Sequence, residues 1–244
     1  MLKSFAHTDI GKMRSVNQDS VFSSTEAVGY LPNLFIVADG MGGHNGGEIA
    51  SKSAISHFCE YIKSRSEAED VLDLLTSAAL AANKGVLSQA AGNPELSGMG
   101  TTLIACTIDQ GKCNIVHIGD SRAYKINGDS ITQLTHDHSY VNEMVKAGQI
   151  THDEAREHPK RNVLTRVLGI SDEMSADGYV IEMELDSTIL LCSDGLYNMV
   201  PESEIKNLSK NNTSDNPAVA LVAAANDGGG KDNISVIIVR YEND

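Results

Sequence analysis

The feature that most constrains this chain is an aspartate that repeatedly lies at the end of an apolar run, beside glycine or asparagine. In LFIVADGMGGHNGGE, residues 34–48, four β-branched, aromatic or aliphatic residues predict a buried strand that ends at Asp39 and Gly40. The pattern returns as IVHIGD at 115–120, as ILLCSDG at 189–195, and as GKDN at 230–233 before the final apolar run. Carboxylates are therefore expected at the ends of several strands.

A shared cation is the simplest explanation for these carboxylates, because burying an unpaired carboxylate near a core edge is costly. Asp19, just before Val21 and Phe22, adds a fifth candidate. Carboxylate oxygens suit Mg²⁺ or Mn²⁺, whereas no Cys or His pair has the spacing of a zinc site. A glycine beside the aspartate lets a main-chain carbonyl approach the ion. The alternative is a set of ordinary glycine-rich turns, and one motif alone does not decide between the two.

Length and charge limit the classes of protein that this chain can represent. Its 244 residues are enough for one large domain with a hydrophobic core, and we expect a single domain over residues 1–244. The net charge of −14 argues against nucleic acid as a partner, since phosphate backbones need Lys and Arg. No run approaches the roughly 20 apolar residues that span a bilayer, and the N-terminus lacks the apolar core of a signal peptide. We therefore expect a cytoplasmic monomer without a membrane partner.

The cysteines support the same location. All four lie in apolar segments without CxxC spacing, which predicts buried, unpaired thiols in a reducing compartment. They are Cys59, Cys106, Cys113 and Cys192.

The spacing of apolar residues predicts an α+β domain with layered sheets and helices. Hairpin-length loops favour antiparallel pairing, and long amphipathic helices would cover the sheets. Residues 139–171 have a different, more polar composition and are expected to form a small helical insertion beside the site. The predicted elements are helices over 48–64 and from 66 to 86, a hairpin of 101–108 and 113–118, a second hairpin of 179–185 and 188–192, short helices near 202–208 and 218–226, and a strand over 234–240.

Taken together, six short motifs in chain order resemble the metal-dependent protein phosphatase family (protein phosphatase 2C-like), in its short bacterial form. The resemblance covers residues from about 4 to 240. It implies two packed antiparallel β-sheets flanked by antiparallel helix pairs, a four-layer sandwich with a flap insertion. The motifs are RxxNQD at 14–19, VADGMGG at 37–43, GxxTT at 98–102, GDSRAY at 119–124, SDGL at 193–196 and DN at 232–233.

The resemblance also implies a role for each core aspartate. Asp39 would bridge two metal ions, and the carbonyl of Gly40 would bind the second ion. Asp194 and Asp232 would hold the first ion. Asp19 would reach the second ion, partly through water.

A third ion and a phosphate-binding arginine complete the match. Asp120, with Asp194, matches a weaker third metal site of bacterial members, and Arg14 matches the residue that holds the substrate phosphate. A guanidinium suits that role because it can pair two phosphate oxygens in a fork. Two ions roughly 3.5–4 Å apart would share a water and fix it in line with phosphorus. The expected reaction is hydrolysis of phosphoserine and phosphothreonine in proteins, with Mn²⁺ or Mg²⁺ as cofactor.

The general acid is a separate question. In animal relatives a histidine directly after Asp-Gly is associated with protonating the leaving alkoxide, whereas here Met41 occupies that place and His44 follows three residues later. His44 is therefore a candidate acid, and the alternative is a histidine that only hydrogen-bonds the glycine-rich turn. The histidines of the insertion and just before it are expected on the surface. They are His136, His138, His152 and His158.

Two other functions stay open at this point. A non-catalytic member would bind a phosphoprotein or a kinase, but it would be expected to lack metal-site carboxylates that are all present here. A two-metal phosphodiesterase or nuclease is disfavoured by the negative charge. The favoured partners are phosphorylated proteins and, by analogy with the family, a cognate serine/threonine kinase.

Overall fold

The computed structural model describes residues 1–43, 46–65, 70–210 and 216–242. Within these ranges the strands are β1 (Leu2–Asp9), β2 (Asp19–Ser24), β3 (Leu34–Met41), β4 (Gly100–Thr101), β5 (Leu103–Asp109), β6 (Lys112–Ile118), β7 (Arg122–Asn127), β8 (Ser130–Gln133), β9 (Asp177–Glu182), β10 (Thr188–Cys192) and β11 (Ile234–Tyr241). The helices in the same ranges are α1 (Gly46–Ser64), α2 (Val71–Ala91), α3 (Tyr140–Lys146), α4 (His152–Glu157), α5 (Asp194–Tyr197), α6 (Glu202–Lys210) and α7 (Pro217–Asp227), with a 3₁₀ helix at Pro94–Leu96.

The strands of the described chain form two antiparallel sheets. One has the order β1-β11-β10-β7-β8, and the other has the order β2-β3-β5-β6-β9, with β4 paired to β3. The interior strands β3 and β10 are apolar almost throughout because both of their faces are covered. Edge strand β9 instead alternates between exposed and partly buried residues. The burial of each strand therefore follows from its place in the sheet.

The two sheets pack face to face, and their inner faces share one hydrophobic core. Phe35, Ile104 and Ile115 from one sheet belong to the same buried cluster as Ile189 and Ile237 from the other. This arrangement is a β-sandwich, in which inward residues from both sheets interdigitate.

Helices cover the outer face of each sheet. On one side, Phe58 of α1 and Leu75 of α2 are buried in one cluster with Ile36 of β3. On the other side, Leu221 of α7 is buried in one cluster with Leu190 of β10. The layers run helix, sheet, sheet, helix, so the predicted four-layer α+β sandwich is confirmed.

The predicted second hairpin is wrong. The predicted first strand corresponds to β9, which pairs with β6. The predicted second strand corresponds to β10, which pairs with β7 and β11 in the other sheet. The loop between them crosses from one sheet to the other, and Asp186 in that loop has a positive φ of 65°. Its backbone N–H donates to the carbonyl of Tyr241 at 2.8 Å, which ties the crossing to β11.

The second long helix is confirmed, but the residues at its predicted start, 66–69, lie outside the described residues. The described helix α2 begins at Val71, because the Asp70 side chain accepts hydrogen bonds from the N–H groups of Leu72 and Asp73.

The four cysteines are buried and free, as predicted. In the described part of the chain, none of the helices has the length and apolar character needed to cross a membrane.

Candidate metal centre

The predicted aspartates lie at one end of the two sheets. Asp19 opens β2 and stands directly opposite Asp39 of β3 in the antiparallel register. In the other sheet, Cys192 at the end of β10 pairs with the beginnings of β7 and β11. Asp120, Asp194 and Asp232 lie just outside these three strand ends. The folding of two separate sheets thus brings together carboxylates that are far apart in the sequence.

Burial and mutual repulsion raise the pKa values of these carboxyl groups. The pKa of Asp39 is raised well above its usual range, first by burial and then by the charges of the other four aspartates. That of Asp194 is raised in the same way, with Asp120 the strongest of its neighbours. Burial also raises the pKa of Asp19 to about 6 and that of Asp120 to about 6. Groups that affect one another so strongly form one electrostatic cluster.

Two carboxylate oxygens of this cluster are buried without a hydrogen-bond partner. They are Oδ1 of Asp19 and Oδ1 of Asp194. The second oxygen of each is bonded, to the Ser193 hydroxyl at 2.7 Å in Asp19 and to the Asn198 amide at 3.1 Å in Asp194. A buried carboxylate oxygen without a partner is expensive, so these two atoms point to a cationic ligand.

The donor atoms of the cluster suit hard divalent cations, but their present spacing does not form a closed binding site. The oxygens of the five aspartates are the donors that Mg²⁺ and Mn²⁺ prefer. Among the described residues, however, no three His, Cys, Asp or Glu side chains converge closely enough to hold an ion as they stand. Carboxylates of the cluster bond to protein groups instead: Asp19 to Ser193, Asp194 to Asn198 and Asp232 to Arg14. The cluster therefore has the right chemistry, and its side chains would draw together around positive charge.

Thr101 and Thr102, which belong to the GxxTT motif, hold the backbone of Asp39. The Asp39 N–H donates to Oγ1 of Thr102 at 2.9 Å, and the Asp39 carbonyl accepts from the N–H of Thr102 at 2.9 Å and from the Thr101 hydroxyl at 3.0 Å. The Thr102 hydroxyl also bonds to that of Ser121 at 2.7 Å. These bonds connect the loop of Asp39 to the loop of Asp120.

The glycine after Asp39 is required by its surroundings. A Cβ on Gly40 would lie 2.0 Å from the carbonyl oxygen of Gly47 and 2.5 Å from that of Gln18. No other residue can bring this backbone so close to its neighbours.

Arg14 and Asn233 organise the loop before β2. The guanidinium of Arg14 forms an ion pair with Asp232 at 2.7 Å and is half exposed. The Asn233 amide donates to the carbonyls of Ile10 and Val16 at 2.9 and 3.0 Å, and its oxygen accepts from the N–H of Gln18 at 2.9 Å. Asn233 thus ties the turn beside Asp232 to the loop before β2.

A cleft of about 1160 Å³ leads from the cluster to the insertion. Asp120, Asp194 and Asp232 line its inner end with Arg14. The residues of the insertion and its neighbourhood that line its outer end include His152, Arg156, Arg161 and Asn162. The insertion predicted at 139–171 therefore does lie beside the site, and it contains α3 and α4.

The insertion's histidines are not all on the surface. His136 and His152 are exposed, and His158 is partly buried. His138 is fully buried, which contradicts the prediction for that residue, and both of its ring nitrogens are hydrogen-bonded. His44, the candidate acid, lies outside the described residues.

Sequence reasoning assigned no role to several residues that support the cluster. Thr102 belongs to the GxxTT motif, which marks it as a residue of interest but does not predict its hydrogen bond with Asp39. No comparable signal marked His138 or Tyr197, whose hydroxyl donates to the carbonyl of Asp120 at 3.0 Å. Such contacts depend on which loops meet in the fold.

Known proteins provide an independent comparison. Residues 12–230 match the family model described as protein phosphatase 2C. A serine/threonine phosphatase stp of Listeria innocua is 38% identical over 238 residues, which are 95% of this chain and 93% of that protein. The structure of a Streptococcus agalactiae serine/threonine phosphatase is 33% identical and superposes with a TM-score of 0.92 over 99% of this chain and 100% of that one. The catalytic domain of the serine/threonine protein phosphatase PstP, in complex with 2 manganese ions, is 32% identical, with a TM-score of 0.87 over 99% of each chain.

Proposed function

This chain belongs to the protein phosphatase 2C family, and from that membership we propose that its aspartate cluster is the metal centre of the enzyme. The activity is metal-dependent hydrolysis of phosphoserine and phosphothreonine in proteins. The observation that carries the proposal is Asp39, whose pKa is raised by burial and by four further carboxylates at one end of the sandwich.

Each aspartate has a separate place in this proposal. Asp39 would bridge two core ions, the Gly40 carbonyl would bind the second ion, and Asp194 and Asp232 would hold the first. Asp19 lies toward the second ion. The unpartnered Oδ1 atoms of Asp19 and Asp194 support these assignments, because a cation would satisfy both of them. When bound, two such ions neutralise phosphoryl oxygens and lower the pKa of water.

A third, weaker ion is proposed at Asp120, with Asp194 as a shared ligand. Of the charged groups around Asp194, Asp120 has the largest effect on the pKa of Asp194, which supports a short distance between the two carboxylates. We propose Mn²⁺ or Mg²⁺ for all three positions, since the donor set consists of hard oxygens.

Arg14 is proposed to hold the substrate phosphate. Its guanidinium lines the inner end of the cleft and is half exposed, so a phosphate can reach it. Its bond to Asp232 holds it at the cluster. A fork of N–H donors fits two phosphate oxygens and would orient the ester within the cleft.

His44 is proposed as the acid that gives a proton to the leaving serine or threonine oxygen. The support is its place in the GMGGH sequence after Asp39, together with the high pKa of an alkoxide leaving group. The alternative is a histidine that only hydrogen-bonds the glycine-rich turn.

The whole chain is proposed to form one phosphatase domain, with residues 139–171 as a flap. The insertion lines the outer end of the cleft, so it would contact the protein substrate around the phosphorylated residue. We also propose a monomer that acts in the cytoplasm against a serine/threonine kinase. The free, buried thiols are consistent with a reducing compartment.

One assay tests the function against its alternatives. Enzyme treated with EDTA should release no phosphate from a phosphothreonine peptide, and added Mn²⁺ or Mg²⁺ should restore the release. A diester such as bis-p-nitrophenyl phosphate, measured in parallel, should be a much poorer substrate. Preference for the diester would indicate a phosphodiesterase, and no turnover of either substrate with metal present would indicate a binding protein.

A further inference from the structure

The turn that carries Asp120 is held from three directions. Gly119 has a φ of +105°, and a Cβ there would lie 2.5 Å from Cγ2 of Thr102. The Gly119 N–H donates to Nδ1 of His138 at 3.1 Å, and its carbonyl accepts from the His138 N–H at 2.8 Å. The carbonyl of Asp120 accepts from the Tyr197 hydroxyl, and Ser121 bonds to Thr102. The backbone of the turn that carries Asp120 is therefore fixed by its neighbours.

The hydrogen bonds of His138 determine its tautomer. A backbone N–H can only donate, so Nδ1 must be the acceptor for Gly119 and Nε2 must carry the proton. Nε2 lies 3.1 Å from Oδ2 of Asp177, which accepts that proton's hydrogen bond. The other oxygen of Asp177 accepts from Nη1 of Arg166 at 2.7 Å. A buried neutral imidazole thus joins Gly119 on one side to an ion pair on the other.

His138 is also the place where the flap leaves and returns. Ser139, the next residue, begins the flap and caps α3. On the returning arm, the N–H of Thr165 donates to the carbonyl of His138 at 2.8 Å, and Arg166 binds Asp177. Both arms of the flap are therefore connected to the Asp120 turn by the side chain and backbone of His138.

We propose that His138 is a positioning residue: it holds the Asp120 turn for the weaker ion and couples that turn to the flap. This inference rests on the proposed role of Asp120 as a metal ligand. Residues behind a ligand commonly orient it, and their loss weakens metal binding by roughly 10- to 100-fold. The coupling to the flap concerns the substrate, because the flap lines the cleft into which a phosphopeptide would enter.

Two substitutions separate the two bonds of the ring. His138→Gln places an amide N–H near the position of Nε2, so it can keep Asp177 while losing the acceptor for Gly119. His138→Asn places an oxygen near the position of Nδ1, so it can keep Gly119 while losing the donor to Asp177. Arg166→Gln breaks the flap's ion pair at a partly exposed position and does not depend on tolerance in the core.

His117 supplies the matched control. It is fully buried, and its ring centroid lies 4.8 Å from that of His138. His117 stands opposite Asp177 in the register of β6 and β9, so His117→Gln disturbs the same packing while leaving the hydrogen bonds of His138 to Gly119 and Asp177 in place.

The experiment is calorimetric titration of Mn²⁺ into the EDTA-stripped full chain. The weak event is the binding of the third, weaker ion, and it is identified by its loss in Asp120→Ala. We expect His138→Gln to weaken that event about tenfold while the two tighter events and the melting temperature in Mn²⁺ stay near wild type. We expect His138→Asn and Arg166→Gln to bind Mn²⁺ normally, but to raise the KM for a phosphothreonine peptide severalfold with little change for p-nitrophenyl phosphate.

Several results would overturn the inference. Unchanged weak binding in a folded His138→Gln variant excludes the positioning role, and so does an equal loss in His117→Gln. An unchanged peptide KM in Arg166→Gln excludes the coupling, even if both His138 variants fail to fold. Absence of any weak event in the wild type would instead remove the proposed third site itself, and the inference with it, while leaving the two-ion proposal intact.

Discussion

Asp39 is the residue on which the electrostatics of this site converge. Its charge is opposed by those of four other aspartates, and its backbone is fixed by three hydrogen bonds with Thr101 and Thr102. Such a carboxylate destabilises the protein unless cations balance it. Function and stability therefore make opposite demands on this position, as is common at active sites.

Asp39→Asn should reduce kcat for a phosphothreonine peptide by more than tenfold, since a neutral amide cannot balance two dications. The same variant should melt at a higher temperature than wild type in EDTA, because the substitution removes like-charge repulsion. Phosphate release and thermal melting measure the two effects. Asp129→Asn, at a fully exposed turn, is the control and should change neither. Retention of more than about a tenth of wild-type kcat would show that Asp39 does not bridge ions.

His44→Ala should slow a phosphothreonine peptide by roughly 100-fold, within the range of general acids, and p-nitrophenyl phosphate much less. The reason is that an alkoxide needs a proton to leave, whereas p-nitrophenolate does not. Both values of kcat should be measured at saturating Mn²⁺. A parallel loss for both substrates, accompanied by weaker metal binding, would assign His44 to the turn and not to the chemistry.

At the residue scale, the sequence predicted the aspartates of the cluster better than the residues that support them. Each aspartate was marked by a local pattern, an apolar run that ends beside glycine or asparagine. His138 had no such pattern, because its role depends on hydrogen bonds with Gly119 and Asp177, which lie 19 and 39 residues away. The prediction of a surface histidine failed since a polar neighbourhood in sequence says little about burial.

At the scale of elements, the strands themselves were predictable and one of their pairings was not. β5 and β6 form the expected hairpin, joined by a two-residue turn with positive φ at Gln110 and Gly111. The five-residue connection from β9 to β10 instead crosses between sheets. Loop length limits the distance that a chain can span, but it does not specify which sheet the second strand joins. That choice is made by side chains that pack far away in sequence.

The flap is the element whose role can be tested most cleanly. Its arms are anchored at His138 and at Leu168, which forms two backbone hydrogen bonds with Thr101, so removal of all of residues 139–171 would disturb the site. Replacing residues 148–158 with a short Gly/Ser linker removes α4 and spares both anchors. This variant should have a raised KM for phosphothreonine peptides and near-normal kinetics with p-nitrophenyl phosphate. Equal losses with both substrates would argue that α4 is only structural.

At the scale of the whole molecule, the stability of metal-stripped enzyme should depend on pH with an unusual sign. Asp19 and Asp120 have folded-state pKa values of about 6, above the ordinary value of 3.8. The folded state therefore binds more protons than the unfolded state between about pH 4 and 6, and stability falls as pH rises through that window. The raised pKa values of Asp39 and Asp194 act in the same direction.

In EDTA, the melting temperature should therefore be higher at pH 5.5 than at pH 7.5, and Mn²⁺ should raise it most at pH 7.5. Differential scanning calorimetry at both pH values measures this. Asp39→Asn, with one charge fewer in the cluster, should show a smaller difference. A stripped enzyme that is more stable at pH 7.5 would mean that other groups outweigh the cluster.

The four-layer architecture was predictable at this scale because six motifs and the alternation of elements agree on one family. The acidic balance of the molecule, −14 overall, also fits an enzyme that concentrates carboxylates at one end of its sheets. The arrangement of the cluster was not predictable in detail. It depends on how two separately formed sheets align their ends, which only the packed core between them decides.

Anomalous diffraction at the manganese edge, from crystals grown with Mn²⁺, would show whether the aspartate cluster binds the metal ions. We expect two strong peaks on either side of the Asp39 carboxylate, one near Asp194 and Asp232 and the other near the Gly40 carbonyl, with a weaker third peak near Asp120. The Asp39→Asn variant, crystallised in the same way, should lose at least one strong peak. Strong peaks elsewhere, or none at the aspartate cluster in catalytically active crystals, would contradict the assignment of this cluster as the metal centre.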